Sequence, residues 1–393
     1  MPFQSIQPFT ISIPEDEVAD LNLRLRRTRW PDELPGVGWT FGVAKSRLQA
    51  LAEYWADGFA WRDQERRLNR FPQFMTEIDG QQIHFVHVRS ARPDAVPLLL
   101  THGWPSTFAD FSTMIPQLVD PGAEETQGPA FDVVIPSLPG FGFSGVTTAT
   151  GWNVDRIARA WAELMQGLGY DRYIVQGGDY GSLVSPAIGR LFPDNVIGVH
   201  VNAMINGSMV DPSRREPLDG LSSDDATAIA DTARQWQNRY GYAALQATRP
   251  QTLAYALNDS PVGLLAWILD LEWAVGDDLA EGETTVSDED ILTAASIYWF
   301  TQTAGSSARL YRENGELLSD PPPTTTPTAV AVFPGDRTVR SLAERHHHRI
   351  VRYTEFPRGG HFAGLQAPDL LVEDIRAFCS QLQAADPSST VSR

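Results

Sequence analysis

Between Ile174 and Ser182 the chain reads IVQGGDYGS: an apolar run enters two glycines, then a carboxylate, an aromatic, a third glycine and a serine. The frame Gly177-Gly178-Asp179-Tyr180-Gly181 has the form of the sharp strand-to-helix turn that lifts a nucleophile above a sheet, where G-x-S-x-G is usual. Here the raised position holds Asp179. Serine needs a base to remove its proton before it attacks. An ordinary aspartate, with pKa about 3.9, is ionised at neutral pH. It can displace a leaving group at saturated carbon, giving an alkyl ester of the enzyme. A histidine is then free to activate water against the ester carbonyl, with an acid to orient the imidazole and backbone N–H groups to hold the oxyanion.

Candidates for those roles follow in order. Asp336 comes just after AVAVFPG, and His361 after TEFPRGG, so the series runs nucleophile, acid, histidine. THGWP, Thr101–Pro105, directly follows the apolar PLLL. A loop there offers the Trp104 N–H to the oxyanion, with the Tyr180 N–H after the nucleophile as the second donor. Taken singly, Asp179 and Asp336 could be plain turn residues and His361 a structural loop histidine. The ordered set, each member at a strand end, is what points to chemistry. A halide leaving group needs donors that cradle an anion, whereas an epoxide opens to an alkoxide and needs a positioned acid. Tyrosine can be that acid, and Tyr240, Tyr242, Tyr255, Tyr298 and Tyr311 all fall in one stretch. Spacing leaves them open.

The other histidines read as structural. His346, His347 and His348 occupy consecutive positions and point in three directions, whereas helical metal ligands need a spacing such as i, i+4. No metal or cofactor is expected, and His84, His87, His102 and His200 are expected in the framework.

The elements that would carry these residues alternate. Residues 1–70 read as a helical arm without sheet: Pro14 followed by Glu15, Asp16 and Glu17 suits a helix start, and Pro31 in RTRWP a stop. FMTEIDGQQIHFVHV is two strand-like runs joined at Asp79-Gly80, a hairpin signal. From there β-rich runs and helical runs alternate through residues 71–205, which implies a mostly parallel central sheet covered by helices. Residues 206–322 carry only helical patterns, a cap insertion, and residues 323–393 resume the alternation. Ligands of such sheets bind outside the carboxyl ends of the strands. The expected class is α/β, an α/β-hydrolase fold with helical cap and N-terminal helical arm.

Composition sets limits. With 393 residues and 42% hydrophobic content the chain can bury one large core plus an insertion. A net charge of −18 argues against a nucleic-acid partner. The most apolar stretch, PVGLLAWIL, is too short to span a membrane. The N-terminus lacks the pattern of a secretion signal. A single cysteine, Cys379, fits a small buried residue in a reducing cytoplasm. One lysine among 31 basic residues suggests a GC-rich bacterial genome.

Several stretches resemble one family. RTRWP, YWADGFAWRDQE, HGWP, PSLPGFGFSG, QGGDYGS, ALNDSPVGLLAWI, RLYREN and GGHF are together similar to the microsomal-type epoxide hydrolases, over nearly the whole chain. The resemblance implies Asp179 as nucleophile, His361 as base and Asp336 as its acidic partner. It also selects Tyr242, in GYAALQ, and Tyr311, in RLYREN, as the pair that protonates the epoxide oxygen. The expected reactants are a largely apolar small-molecule epoxide and water, and a homodimer is among the assemblies allowed. Many relatives have tryptophan where Tyr180 stands, which implies a changed pocket wall around unchanged chemistry. The mammalian membrane anchor is missing, so a soluble protein is expected. The relay acid varies between aspartate and glutamate in the family, and Asp336 fits that range. Bacterial relatives include detoxifying enzymes and enzymes that tailor natural products such as enediyne antibiotics. The alternatives are a haloalkane or haloacid dehalogenase, against which Tyr180 counts, and an inactive binding module, against which the complete residue set counts.

Overall fold

Short apolar runs that alternate with amphipathic segments fold into one sheet of nine strands in the computed structural model. It describes residues 5–120, 122, 128–204, 221–227, 229–230, 241–271, 285–314, 323–336 and 338–385. The strands are β1 (Gln7–Phe9), β2 (Gln73–Ile78), β3 (Gln81–Val88), β4 (Val96–Thr101), β5 (Phe131–Pro136), β6 (Tyr173–Gly178), β7 (Val196–Asn202), β8 (Thr328–Val332) and β9 (Ile350–Glu355). Their order is β1-β2-β3-β5-β4-β6-β7-β8-β9. The first three and β5 pair antiparallel, and every pairing from β5 across to β9 is parallel.

Each residue of β4 and β5 is buried, as expected of strands covered on both faces. Leu99 and Val134 join one apolar cluster, while Leu98, Leu100, Val133 and Ile135 join the other, so the sheet separates two cores. The β2–β3 hairpin turns at Asp79 (φ 52°) and Gly80 (φ 73°), the left-handed pair such a two-residue loop requires.

The arm supplies helices α1 (Glu15–Arg26), α2 (Lys45–Asp57) and α3 (Trp61–Leu68). It also supplies β1, which the reading of residues 1–70 as free of sheet did not anticipate. Three residues with a central proline carry no alternation, and the partner strand lies far along the chain, Gln7 facing Met75. Pro14 is the residue before α1, one place earlier than expected. Helices α4 (Met114–Val119), α5 (Val154–Gly167) and α6 (Gly181–Leu191) flank the sheet.

Between β7 and β8 the described elements are helical, among them α7 (Gly241–Thr248), α8 (Pro250–Leu257), α9 (Pro261–Leu271), α10 (Asp288–Thr301) and α11 (Ala304–Glu313). Ser287 caps α10 by accepting the Asp290 N–H at 3.1 Å. The arm is bound to these helices. Trp55 Nε1 donates to Ser296 Oγ at 2.9 Å, Arg24 pairs with Asp259 at 3.2 Å, and Arg47 pairs with Asp288. The chain ends in α12 (Arg340–His346), α13 (Ala363–Gln366) and α14 (Pro368–Ala385).

Of the framework histidines, His84, His102 and His200 are buried and His87 is half-buried. His84 lies between Ser137 Oγ and Gln73 Oε1, both at 2.9 Å, and burial together with the His102 charge pushes it down to about 3. His200 Nε2 lies 3.0 Å from Asp374 Oδ2, whose other oxygen binds Arg352 at 2.6 Å. Burial alone would raise the Asp374 carboxyl, but His200 and Arg352 hold it down at about 2. Cys379 is buried in α14, and burial pushes its thiol up to about 12. No helix among the described residues is long and apolar enough to cross a membrane.

Candidate active site

β6 ends at Gly178, and the next residue, Asp179, has φ 53°, a left-handed conformation that few non-glycine residues adopt. The turn is closed by Ser182, whose N–H and Oγ donate to the Asp179 carbonyl at 2.8 and 2.6 Å. It also needs room. A Cβ at Gly181 would come within 2.1 Å of the Thr101 carbonyl, and one at Gly103 within 2.1 Å of Asp179 Oδ1. These glycines let the elbow press against the end of β4, and α6 starts immediately after.

The loop after β4 then reaches Asp179. Trp104 N–H donates to Asp179 Oδ1 at 2.9 Å. His102 fixes this loop. Its Nε2 accepts the Leu138 N–H at 3.1 Å, so Nδ1 carries the proton and donates to the Gly103 carbonyl at 2.9 Å. Burial pushes His102 down to about 4, against the opposing pull of that bond and of Asp179.

β9 leads into the loop of His361, whose Nε2 lies 3.3 Å from Asp179 Oδ2. Gly359 has φ 126°, and a Cβ there would strike Phe333 at 2.5 Å, so a glycine ahead of the histidine is a steric necessity. Asp336 follows β8. Its Oδ2 accepts the Ala203 N–H at 2.9 Å, and its Oδ1 accepts the N–H and hydroxyl of Thr338 at 3.1 and 2.8 Å. Burial pushes the carboxyl up, opposed by Thr338 and by the charge of His361. Asp179, Asp336 and His361 thus stand at the carboxyl ends of β6, β8 and β9.

The tyrosines arrive from helices. Tyr242 of α7 stacks on Trp104 with ring centroids 5.9 Å apart, and Tyr311 of α11 meets Trp104 edge-on at 6.0 Å. The two phenol rings are 5.8 Å apart, and Tyr180 packs against Tyr311 at 5.0 Å. Burial raises Tyr311 well above the ordinary tyrosine value, reinforced by Tyr242, Asp179 and Tyr180, so its proton is retained at neutral pH. The other tyrosines stand apart. Tyr298 spends its hydroxyl on the Ser106 carbonyl at 3.0 Å, Tyr255 is 72% exposed, and Tyr240 lies outside the described residues.

Sequence reasoning missed several contributors. Ser307 accepts the Trp104 indole N–H at 3.1 Å, one helical turn before Tyr311. Ala203 holds Asp336 through its backbone, and no motif marks Asp110, buried beside the loop of Trp104. Only the i, i+4 spacing of Ser307 and Tyr311 could have signalled any of them. Among the described residues no group of three or more His, Cys, Asp or Glu could hold a metal ion. A cavity of about 860 Å³ between the arm and α8–α9 touches none of the site residues.

Comparison with known proteins accounts for both parts of the chain. Residues 6–111 match the family model described as epoxide hydrolase N terminus, and residues 96–249 match the alpha/beta hydrolase fold. The chain is 42% identical over 382 residues to a putative epoxide hydrolase of Stigmatella aurantiaca, covering 96% of this chain and 86% of that protein. It is 34% identical over 409 residues to epoxide hydrolase 1 of Sus scrofa, covering 97% and 90%. The solved structure of Aspergillus niger epoxide hydrolase matches with a TM-score of 0.82 at 33% identity, covering 96% of this chain and 97% of that one.

Proposed function

The chain belongs to the epoxide hydrolases, and from that premise we propose that it converts a largely apolar epoxide to the vicinal diol through an alkyl ester of Asp179. Water activated by His361, with Asp336 as its acidic partner, hydrolyses the ester, and Tyr242 and Tyr311 donate to the ring oxygen. The observation that carries this reading is the division of labour at one carboxylate. Asp179 Oδ1 is held by the Trp104 N–H at 2.9 Å, which leaves Oδ2 to attack carbon. His361 Nε2 is 3.3 Å from that second oxygen, within reach of a water aimed at the ester carbonyl. In ring opening, Oδ2 bonds to an epoxide carbon, the C–O bond breaks, and a tyrosine proton neutralises the oxygen. In hydrolysis the Trp104 and Tyr180 N–H groups steady the oxyanion.

A cytoplasmic location belongs to the same reading, supported by the single, buried Cys379. The test of mechanism is one turnover in ¹⁸O-water with enzyme in excess. The diol should be unlabelled and the peptide carrying Asp179 labelled, and His361→Gln should leave a substrate adduct on that peptide. Labelled diol from the first turnover, with an unlabelled peptide, would make Asp179 a base instead.

A further inference from the structure

Against Asp179 and His361 lies a cavity of about 30 Å³, lined also by Thr101, Ser106, Asp110 and Asn202. That measure corresponds to roughly one to two waters. Two of its polar groups have no part in the chemistry described so far. Thr101, at the end of β4, is fully buried, and its Oγ1 finds no hydrogen-bond partner among the described protein groups. Buried hydroxyls are ordinarily satisfied, and polar cavities of this size are where proteins hold water.

Asp110 is the second group. It lies within the tight turn Phe108–Phe111, where its Oδ1 accepts the Thr107 N–H at 3.2 Å. Burial pushes its carboxyl up to about 7, against hydrogen bonds from Ser106 and Thr107 and with Asp290 of α10 adding to the rise. The other groups facing it are Tyr298 of α10, and Asp179 and His361 across the cavity, while Asp290 itself lies 3.7 Å from Arg67 of α3. Capping the turn requires only an acceptor. It does not require an ionisable group buried beside the nucleophile.

We propose that this cavity seats the water that attacks the Asp179 ester, and that Thr101 and Asp110 hold that water in line together with His361. The inference rests on the covalent route proposed above. The water oxygen bonds to Cγ of Asp179, and one of its protons passes to His361 Nε2. The ester C–O bond then breaks, and the diol oxygen leaves with that proton. The carboxyl keeps the water oxygen, and the second proton restores the tyrosine that opened the ring.

Two variants test it, each chosen to preserve structure. Thr101→Val keeps the shape and removes a hydroxyl that bonds to no described protein group. Asp110→Asn keeps an acceptor for the Thr107 N–H. In single turnovers of styrene oxide, followed by rapid quench and mass spectrometry of the Asp179 peptide, ester formation should stay within about twofold of wild type, and ester decay should fall about tenfold in both. Melting temperatures should be unchanged. Decay at the wild-type rate in both variants would overturn the proposal, as would formation and decay falling together with the melting temperature, the signature of a merely structural role. If neither the wild type nor His361→Gln forms an ester, the covalent route itself fails, a result separate from either.

Discussion

The two halves of the site are held in different ways. The charged half sits on strand ends and is fixed by directional backbone donors. Trp104 N–H holds Asp179, Ala203 and Thr338 hold Asp336, and glycines give the clearance these contacts need. The tyrosine half sits on α7 and α11 and is fixed by ring packing around Trp104. Hydrogen bonds to a carboxylate define its position narrowly, whereas aromatic contacts tolerate sliding by fractions of an ångström. In the proposed mechanism the group that attacks carbon is therefore placed where displacement costs most. The groups that follow the substrate oxygen are placed where some adjustment is available. Trp104 joins the halves: its backbone N–H holds Asp179, its ring packs on both tyrosines, and its indole N–H donates to Ser307 of α11.

The contrast can be broken from either side. Asp179→Ala should lower diol formation by on the order of 10⁴-fold or more at an unchanged melting temperature, because no other group can form the ester. Retention of substantial turnover would remove the strand-borne half from the chemistry. Tyr311→Phe or Tyr242→Phe removes one donor and keeps the ring. Each should lose about 2–4 kcal/mol, roughly 10²–10³ in the rate of ester formation, with ester decay unaffected. Stopped-flow traces showing full formation rates in both would reject the pair.

A third prediction concerns the anchor of the charged half. His102 is held neutral, with a folded value of about 4 against about 6.5 in the unfolded chain. Its folded value is depressed, so between those limits the unfolded state binds the extra proton. Stability should therefore fall as pH drops from about 6.5 toward 4, by on the order of 2 kcal/mol at pH 5 from this residue. Denaturant melts at pH 7 and pH 5 should show a smaller difference in His102→Gln than in wild type. An equal pH slope would mean that His102 does not contribute it.

The smallest effect should come from the link itself. Ser307→Ala removes the acceptor of the Trp104 indole, at a cost of about 1 kcal/mol in stability. Ester formation should slow by less than about tenfold. A rate loss as large as that of Tyr311→Phe would show that the helix-borne half depends on this bond more than on packing.

Much of the charged half was legible in the sequence because its requirements are local. A left-handed Asp179 needs glycines beside it, and IVQGGDYGS displays them; TEFPRGGH does the same for the loop of His361. The alternation that places both at strand ends is equally local, as is the Asp79-Gly80 turn. The helix-borne half was not readable in this way. GYAALQ and SSARLYREN are helical patterns whose inward face depends on how the helices pack, so family resemblance, not spacing, singled out Tyr242 and Tyr311. Ala203 acts through a backbone atom that every residue possesses, which leaves no compositional trace, whereas the loop of Trp104 is marked by HGWP. Strand β1 was invisible because its pairing partner is supplied by tertiary structure.

The insertion between β7 and β8 also governs the order of events during synthesis. β7 pairs with β6 on one side and β8 on the other, and about 125 residues separate its end at Asn202 from Thr328. At ribosomal speeds of about 5–20 residues per second, β7 waits on the order of 10 s as an open edge, with an apolar VIGVHV exposed to any neighbouring chain. His200 waits with it, since its partner Asp374 is made later still. A chain stalled short of Thr328 should be cut within β7 by a protease that the finished enzyme resists.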